Sequence, residues 1–172
     1  MNIISERRDL KWLPPGGVVR LFQSSTLPAL DLTTSAYAMI FRGEDLLMIK
    51  DKERGWDIPG GHKEQGEDLV QTVTRELHEE AAARAKELVP FATVVVEVPG
   101  TPPAGYTYPT PQSFMAFFIG RLERLDPFAA EYETVDRKFF TPAEALELAW
   151  VKNHLELYGS ALDYARRVQS KL

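Results

Sequence analysis

Six carboxylates, Glu64, Glu67, Asp68, Glu76, Glu79 and Glu80, fall between positions 64 and 80 and share that window with one cation, Arg75. The window sums to −5 (six acids against one base), which is also the formal charge of the whole chain. Everything outside it is balanced, 19 acidic against 19 basic residues (25 minus 6 and 20 minus 1). Crowded like charges raise one another's pKa unless a cation lies among them. A chain whose entire imbalance sits in one place must therefore either spread those charges into water or fold them around something positive.

The pattern of the window favours the second outcome. From Asp68 to about Arg84 the sequence has helical periodicity, and on a wheel of about 100° per residue Leu69, Val70, Val73, Leu77 and Ala81 form a core-facing stripe. Glu79, Glu76 and Glu80 form a contiguous band along one edge of that stripe, with Glu80 inside its arc. A solvated acidic face would lie opposite the stripe. Here at least one carboxylate is directed toward the buried side, where an unpaired charge costs several kcal/mol. The i, i+3, i+4 spacing brings oxygen donors onto one patch, which suits a hard divalent cation, Mg²⁺ or alternatively Mn²⁺. Arg75 is placed to orient a carboxylate or to neutralise part of the cluster. Glu67, at the helix start, stands either to cap the helix or to reach the edge of the metal site.

The rest of the chain narrows the classes of function. At 172 residues, with 44% hydrophobic and 26% charged residues, it has the size and composition of one compact domain. There is no cysteine, so disulfides, thiolate nucleophiles and zinc fingers are excluded, in keeping with a reducing, cytoplasmic location. The longest uncharged apolar run, near Phe114–Gly120, falls far short of the roughly 18 residues of a membrane helix, and the opening MNIISERRDLKW is too charged for a signal peptide. A net-negative chain without a basic stripe is a poor partner for polymeric nucleic acid or an anionic membrane. A small molecule is the expected partner, and a homodimer is compatible with the composition.

Along the chain, residues 1–32 read as an N-terminal extension packing on the main domain, with a short strand at Val18–Phe22. Ser35–Phe41 and Leu46–Lys50 read as a hairpin, Trp56–Ile58 as a short strand ending at a sharp Pro59-Gly60-Gly61 turn, and Phe91–Val98, Phe114–Leu122 and Val135–Phe140 as further strands. Thr141-Pro142-Ala143-Glu144 is an N-cap with proline in the first turn, and a last helix spans about Lys152 to Val168. This is an α+β pattern, an α/β/α sandwich with a mixed sheet between helices. The main domain is expected to run over residues 33–172.

Residues 61–83, GHKEQGEDLVQTVTRELHEEAAA, carry every charged position of G-x5-E-x7-R-E-U-x-E-E-x-G-U, where U is apolar, and follow the sequence WDIPG. This segment resembles the Nudix box, and the order of elements around it, from about Thr33 to Val168, is similar to the Nudix fold. The resemblance implies Mg²⁺-dependent hydrolysis of the diphosphate bond of a nucleoside diphosphate linked to another moiety. It implies that Glu79 and Glu80 are the principal metal ligands beside the Gly60 carbonyl, that Glu76 is a further ligand or the base for water, and that Arg75 orients it. A glutamate from a later loop commonly completes such sites; Glu131 and Glu133 are the candidates. One position departs from the box. Its last glycine is Ala82 here. Glycine there allows the left-handed conformation that stops a helix, so with alanine the helix is expected to run on or to end differently.

Other residues carry weaker signals. Tyr106 and Tyr108, in the proline-rich segment Pro99–Pro111, are candidates to stack on a base, and Arg54 is a candidate to reach a phosphate. His62 reads as a loop-surface residue, with contact to a phosphate as the lesser reading, and Trp56 as a packing anchor. A catalytically silent Nudix-fold module that senses a nucleotide is the alternative, opposed by retention of Glu76, Glu79 and Glu80. An isoprenoid diphosphate isomerase, which shares the fold and relies on cysteine, is disfavoured. Nucleoside triphosphates, ADP-ribose, nucleotide sugars and dinucleoside polyphosphates present the same diphosphate, so the sequence leaves the substrate open.

Overall fold

A computed structural model of the protein describes residues 2–129 and 134–169. Among them, strands β1 (Asn2–Arg8), β2 (Val18–Gln23), β3 (Thr33–Arg42), β4 (Asp45–Asp51), β5 (Gly55–Asp57), β6 (Gly60–His62), β7 (Ala83–Glu97), β8 (Gln112–Leu125) and β9 (Thr134–Phe140) form one sheet. Its helices are α1 (Leu69–Ala81), α2 (Pro142–Ala145), α3 (Ala149–Asn153) and α4 (Leu155–Gln169). The strand order is β1-β2-β7-β8-β3-β4-β5, with β6 added to β3 and β9 to β4. The β3–β8 pair is parallel and the other pairs are antiparallel, so the sheet is mixed.

The central strands are apolar on both faces because helices cover both. Ala36, Ala38 and Ile40 of β3, Leu47 and Ile49 of β4, and Ala116 and Phe118 of β8 pack with Leu69, Val73, Leu77 and Ala81 of α1. The alternate residues Met39, Phe41, Leu46, Met48, Phe117 and Ile119 pack on the other side with Val151, Leu157, Tyr158, Ala161 and Ala165. Period-two alternation thus builds two cores from one set of strands, and the α/β/α arrangement expected from the sequence is the one found. Trp56 meets Phe140 edge-on at 4.8 Å, a packing contact as expected. Val70 is the exception in the helical stripe, 43% exposed. It lies at the stripe's margin in the first turn, beyond the sheet's cover.

Two local departures shape the site. The Gly60-Gly61 segment is a strand rather than a sharp turn, pairing Gly60 with Tyr37 and His62 with Ser35. The far end of β3 pairs instead with β4, at Phe41–Leu46 and Arg42–Asp45. The sheet forks at this point, and the β4–β5 turn faces β6 and α1 across the gap.

The second departure is the end of α1. Asp68 and Gln71 form a reciprocal capping box at its start, each side chain accepting the other's backbone N–H at 2.8 Å. At its end, contrary to expectation, the helix stops at Ala81 and Ala82 itself adopts the left-handed conformation, φ 42° and ψ 44°. An L-residue there costs about 1 kcal/mol. Arg137 offsets that cost from the neighbouring β9. Its Nη1 donates to the carbonyls of Ala81 and Ala82, and its Nη2 to that of Asp126 at 2.7 Å, while the Asp126 N–H donates to the Ala82 carbonyl at 2.7 Å. The Ala81 and Ala82 carbonyls are thereby satisfied by a side chain far away in sequence.

Candidate active site

The fork opens into a cavity of about 640 Å³, of the size that holds a small-molecule ligand. Glu76 and Glu80 of α1 and Gly60 and Gly61 of β6 line it together with Arg75, Tyr37, the turn residues Asp51 to Arg54, and His62, Lys63 and Glu64. The two glycines make this approach possible. A Cβ on Gly61 would stand 2.5 Å from the Glu76 carboxylate, and one on Gly60, whose φ is 152°, would strike the Ala36 carbonyl at 2.5 Å.

Arg75 is the hub of the acidic band. Its Nε donates to Glu67 at 2.7 Å, its Nη1 to Glu76 at 2.9 Å and Glu79 at 3.0 Å, and its Nη2 to the His62 carbonyl at 3.0 Å and again to Glu67 at 3.1 Å. Glu67 also accepts from the Thr72 hydroxyl and the Glu64 N–H, so both its oxygens are engaged. The hydrogen bonds from Arg75, before all other causes, hold the Glu67 carboxyl down at about 2.

Glu80 stands apart from the hub. Among the described residues it accepts one hydrogen bond, from the Gly60 N–H at 2.8 Å. Burial outweighs that bond, and Glu76 adds repulsion, so the Glu80 carboxyl is pushed up to about 7. Burial pushes Glu76 in the same direction, against the pull of Arg75. The nearby cation Arg54 is committed to Asp51 at 3.0 Å.

The candidates therefore divide. Glu76, Glu80, Gly60, Arg75 and Arg54 meet at one cavity. Glu79 is more than half exposed and reaches the cluster only through Arg75. Tyr106 packs against Leu13, Val96 and Val98, away from the cavity, whereas Tyr108 comes within 3.3 Å of the His62 ring. Glu131 and Glu133 lie outside the described residues.

A divalent cation fits this donor set in its chemistry. Two desolvated carboxylates of raised pKa, one of them with a single hydrogen bond, offer hard oxygens in need of positive charge. Among the described residues, no three acidic or histidine side chains are gathered closely enough to grip an ion by themselves. Mg²⁺ does not require such a cage, since it is commonly held by one or two carboxylates together with substrate phosphates.

The sequence puts His62 on the loop surface, with contact to a phosphate as the lesser reading, and does not single out Tyr37, Lys63 or Arg137 as site residues. Tyr37 stacks on Phe117 at 5.2 Å and forms one wall; its place in β3, directly opposite Gly60, is the only signal it carries. No local pattern announces Arg137, because its partners belong to other elements.

The NUDIX domain family model matches residues 31–159, three quarters of the chain. Among solved structures, a pyrophosphohydrolase of Bacillus subtilis matches over 86% of this chain and 92% of its own, with a TM-score of 0.64 at 19% identity. An ADP-ribose pyrophosphatase of Streptococcus suis matches over 77% and 90%, with 0.53 at 21%. A NUDIX hydrolase of Nitrosomonas europaea matches over 72% and 66%, with 0.50 at 25%. The chain belongs to the Nudix family. No described helix is long and apolar enough to cross a membrane.

Proposed function

We propose that the protein hydrolyses the diphosphate bond of a nucleoside diphosphate linked to another moiety, with Mg²⁺ or Mn²⁺ held at Glu76 and Glu80, assisted by Glu79 and the Gly60 carbonyl. The observation that carries this reading is the desolvated, under-paired Glu80 carboxylate beside Glu76 at the floor of a ligand-sized cavity. When bound, the cation supplies the positive charge that neutralises diphosphate oxygens and lets them approach two carboxylates. The chain's own residues do the rest. Glu76, raised in pKa and hydrogen-bonded to Arg75, is the group assigned to hold the proton that water gives up, at its carboxylate oxygens. Arg75 fixes the orientation of Glu76. Arg54 and Lys63, at the cavity's margin, are placed to meet phosphate oxygens.

Chromatographic detection of product release, nucleoside monophosphate or diphosphate and its counterpart, over a panel of nucleoside triphosphates, ADP-ribose, nucleotide sugars and dinucleoside polyphosphates, with and without Mg²⁺ or Mn²⁺, tests the reading. Metal-dependent release is expected with at least one of them, and Glu80→Gln is expected to lower kcat by about a hundredfold or more with the circular dichroism spectrum unchanged. Nucleotide binding without release would identify a sensor module instead, and unchanged turnover in Glu80→Gln would remove that residue from the site.

A further inference from the structure

Glu80 is under-paired although a guanidinium shares its cavity. Burial raises the Glu80 carboxyl to about 7, and the charge of Arg54, from the turn between β4 and β5, pulls against it without prevailing. The Arg54 side chain is 57% exposed and makes one side-chain hydrogen bond among the described residues, from Nη2 to Asp51 Oδ2 at 3.0 Å. On its other side, Nη1 stands 4.0 Å from Asp57, whose carboxyl burial also pushes up. A long cationic side chain so lightly held is drawn toward two desolvated carboxylates. Asp51 holds it back. This residue is 6% exposed, ends β4, and is paired with Gly55 of β5 on one side and Thr134 of β9 on the other. Its Oδ1 accepts the backbone N–H of Glu53 at 2.8 Å and that of Arg54 at 2.7 Å, so the carboxylate is fixed by the turn it closes. The hydrogen bond from Arg54, before all other causes, holds the Asp51 carboxyl down at about 2, and Asp51 is charged wherever Glu80 is.

We propose that Asp51 is a positioning residue that withholds Arg54 from Glu80 and so keeps the Glu80 carboxylate open to a divalent cation. The proposal rests on the cation site proposed above and deepens it, by naming a competing cation of the chain's own and the carboxylate that restrains it. A guanidinium and a metal ion want the same oxygens. With Arg54 seated on Glu80, the apparent affinity for the ion would fall to the fraction of chains in which that seat is free. Held at the turn, Arg54 keeps its remaining donors at the cavity's margin instead. The desolvation of Glu80 and the pinning of Arg54 therefore act together, since a buried carboxylate stays available to an outside ion only if the nearby internal cation is tied down.

The test is Mn²⁺ binding to the intact chain without nucleotide, followed by electron paramagnetic resonance and counted at the site that Glu80→Gln removes. Asp51→Asn keeps an oxygen for the two backbone N–H groups and loses the charge that pairs with Arg54. It is expected to weaken Mn²⁺ binding about tenfold. Adding Arg54→Gln to it should restore the wild-type affinity, which a general disturbance of the turn would not do. Arg54→Gln alone should stay within about twofold of the wild type, because Arg54 is already withheld. Unchanged binding in Asp51→Asn, a double variant that stays weak, or a gain of about tenfold from Arg54→Gln alone overturns the proposal. The last of these is decisive by itself should Asp51→Asn fail to fold, since Arg54 is an exposed position. A second readout needs no metal. In urea at pH 8, Glu80→Gln is expected to raise the unfolding midpoint in the wild-type background and to raise it less, or lower it, in the Asp51→Asn background, where Arg54 has become the partner of Glu80. An equal gain in both backgrounds overturns the proposal. If no Mn²⁺ site depends on Glu80, the metal reading fails, and the urea comparison still decides what Asp51 does to Arg54.

Discussion

Glu67, just before the N-cap of α1, and Glu80, in its last turn, have opposite fates. Glu67 is engaged on both oxygens by Arg75, Thr72 and a backbone N–H, and its carboxyl is held down at about 2. Glu80, inside the arc of the apolar stripe, is withdrawn from water with a single backbone donor, and its carboxyl rises to about 7. The difference is one of supply. Arg75 is the only cation within the acidic window, and its donors are spent on Glu67, Glu76 and Glu79. The first carboxylate stabilises the fold and the second burdens it. A native state retains such an uncompensated group most readily where something else supplies the charge.

The largest expected effect that separates the two sides is in the pH dependence of stability without metal. Glu80 has an ordinary value of 4.5 and a folded value of about 7. Below pH 4.5 it is neutral in both states and costs nothing. As pH rises through 7 the unfolded chain favours ionisation more than the fold does, so stability is lost, by about 3 kcal/mol at most. Urea titrations should find Glu80→Gln gaining on the wild type between pH 5 and pH 8, and Mg²⁺ with a diphosphate ligand raising the wild-type Tm more at pH 8 than at pH 5. Glu67 has the reverse sign. Its contribution is present above pH 4.5 and fades as pH falls toward 2, so Glu67→Gln should destabilise at neutral pH and converge on the wild type in acid. Parallel pH curves for the two variants would erase the contrast.

A somewhat smaller effect is expected at the hub. Arg75→Met leaves Glu67 and Glu76 without their cation in a part-buried site, a loss of about 2 kcal/mol after allowance for exposure. The kcat should fall with it, because the Glu76 carboxylate loses the guanidinium that orients it. Arg75→Lys should recover some stability but little rate, since one ammonium cannot reproduce the fork. Equal recovery of both would mean that Arg75 acts through charge alone.

Much of this was legible in the sequence for physical reasons that are local. The helix start near Asp68, the cap at Thr141, the alternation of β3, β4 and β8, and the carboxylate band beside Leu69, Val73 and Leu77 all follow from periods and side chains within a few residues of one another. Even the exposure of Glu79 agrees with its place at the outer end of that band. What was not legible depends on partners far along the chain. Gly60-Gly61 reads as a turn until β3 is seen to pair with it. His62 reads as a surface residue until the 99–111 loop brings Tyr108 alongside.

Ala82 is the sharpest case of such dependence, and it yields the smallest of the expected effects. The residue type argues against a left-handed helix stop, and the stop occurs because Arg137 and the Asp126 N–H satisfy the carbonyls that the turn exposes. The Arg137 guanidinium also lies 5.2 Å from the Phe128 ring centroid, which fixes it from another side. Ala82→Gly should therefore stabilise the protein by about 1 kcal/mol by removing the Cβ conflict, less the entropy that glycine adds to the unfolded chain. Arg137→Met should destabilise it, and less so when Ala82 is already glycine, because a glycine stop relies less on an outside tie. A double-mutant cycle in urea reads that coupling directly. Strict additivity would mean that the arginine and the alanine solve separate problems, leaving the end of the carboxylate helix held by its core packing alone.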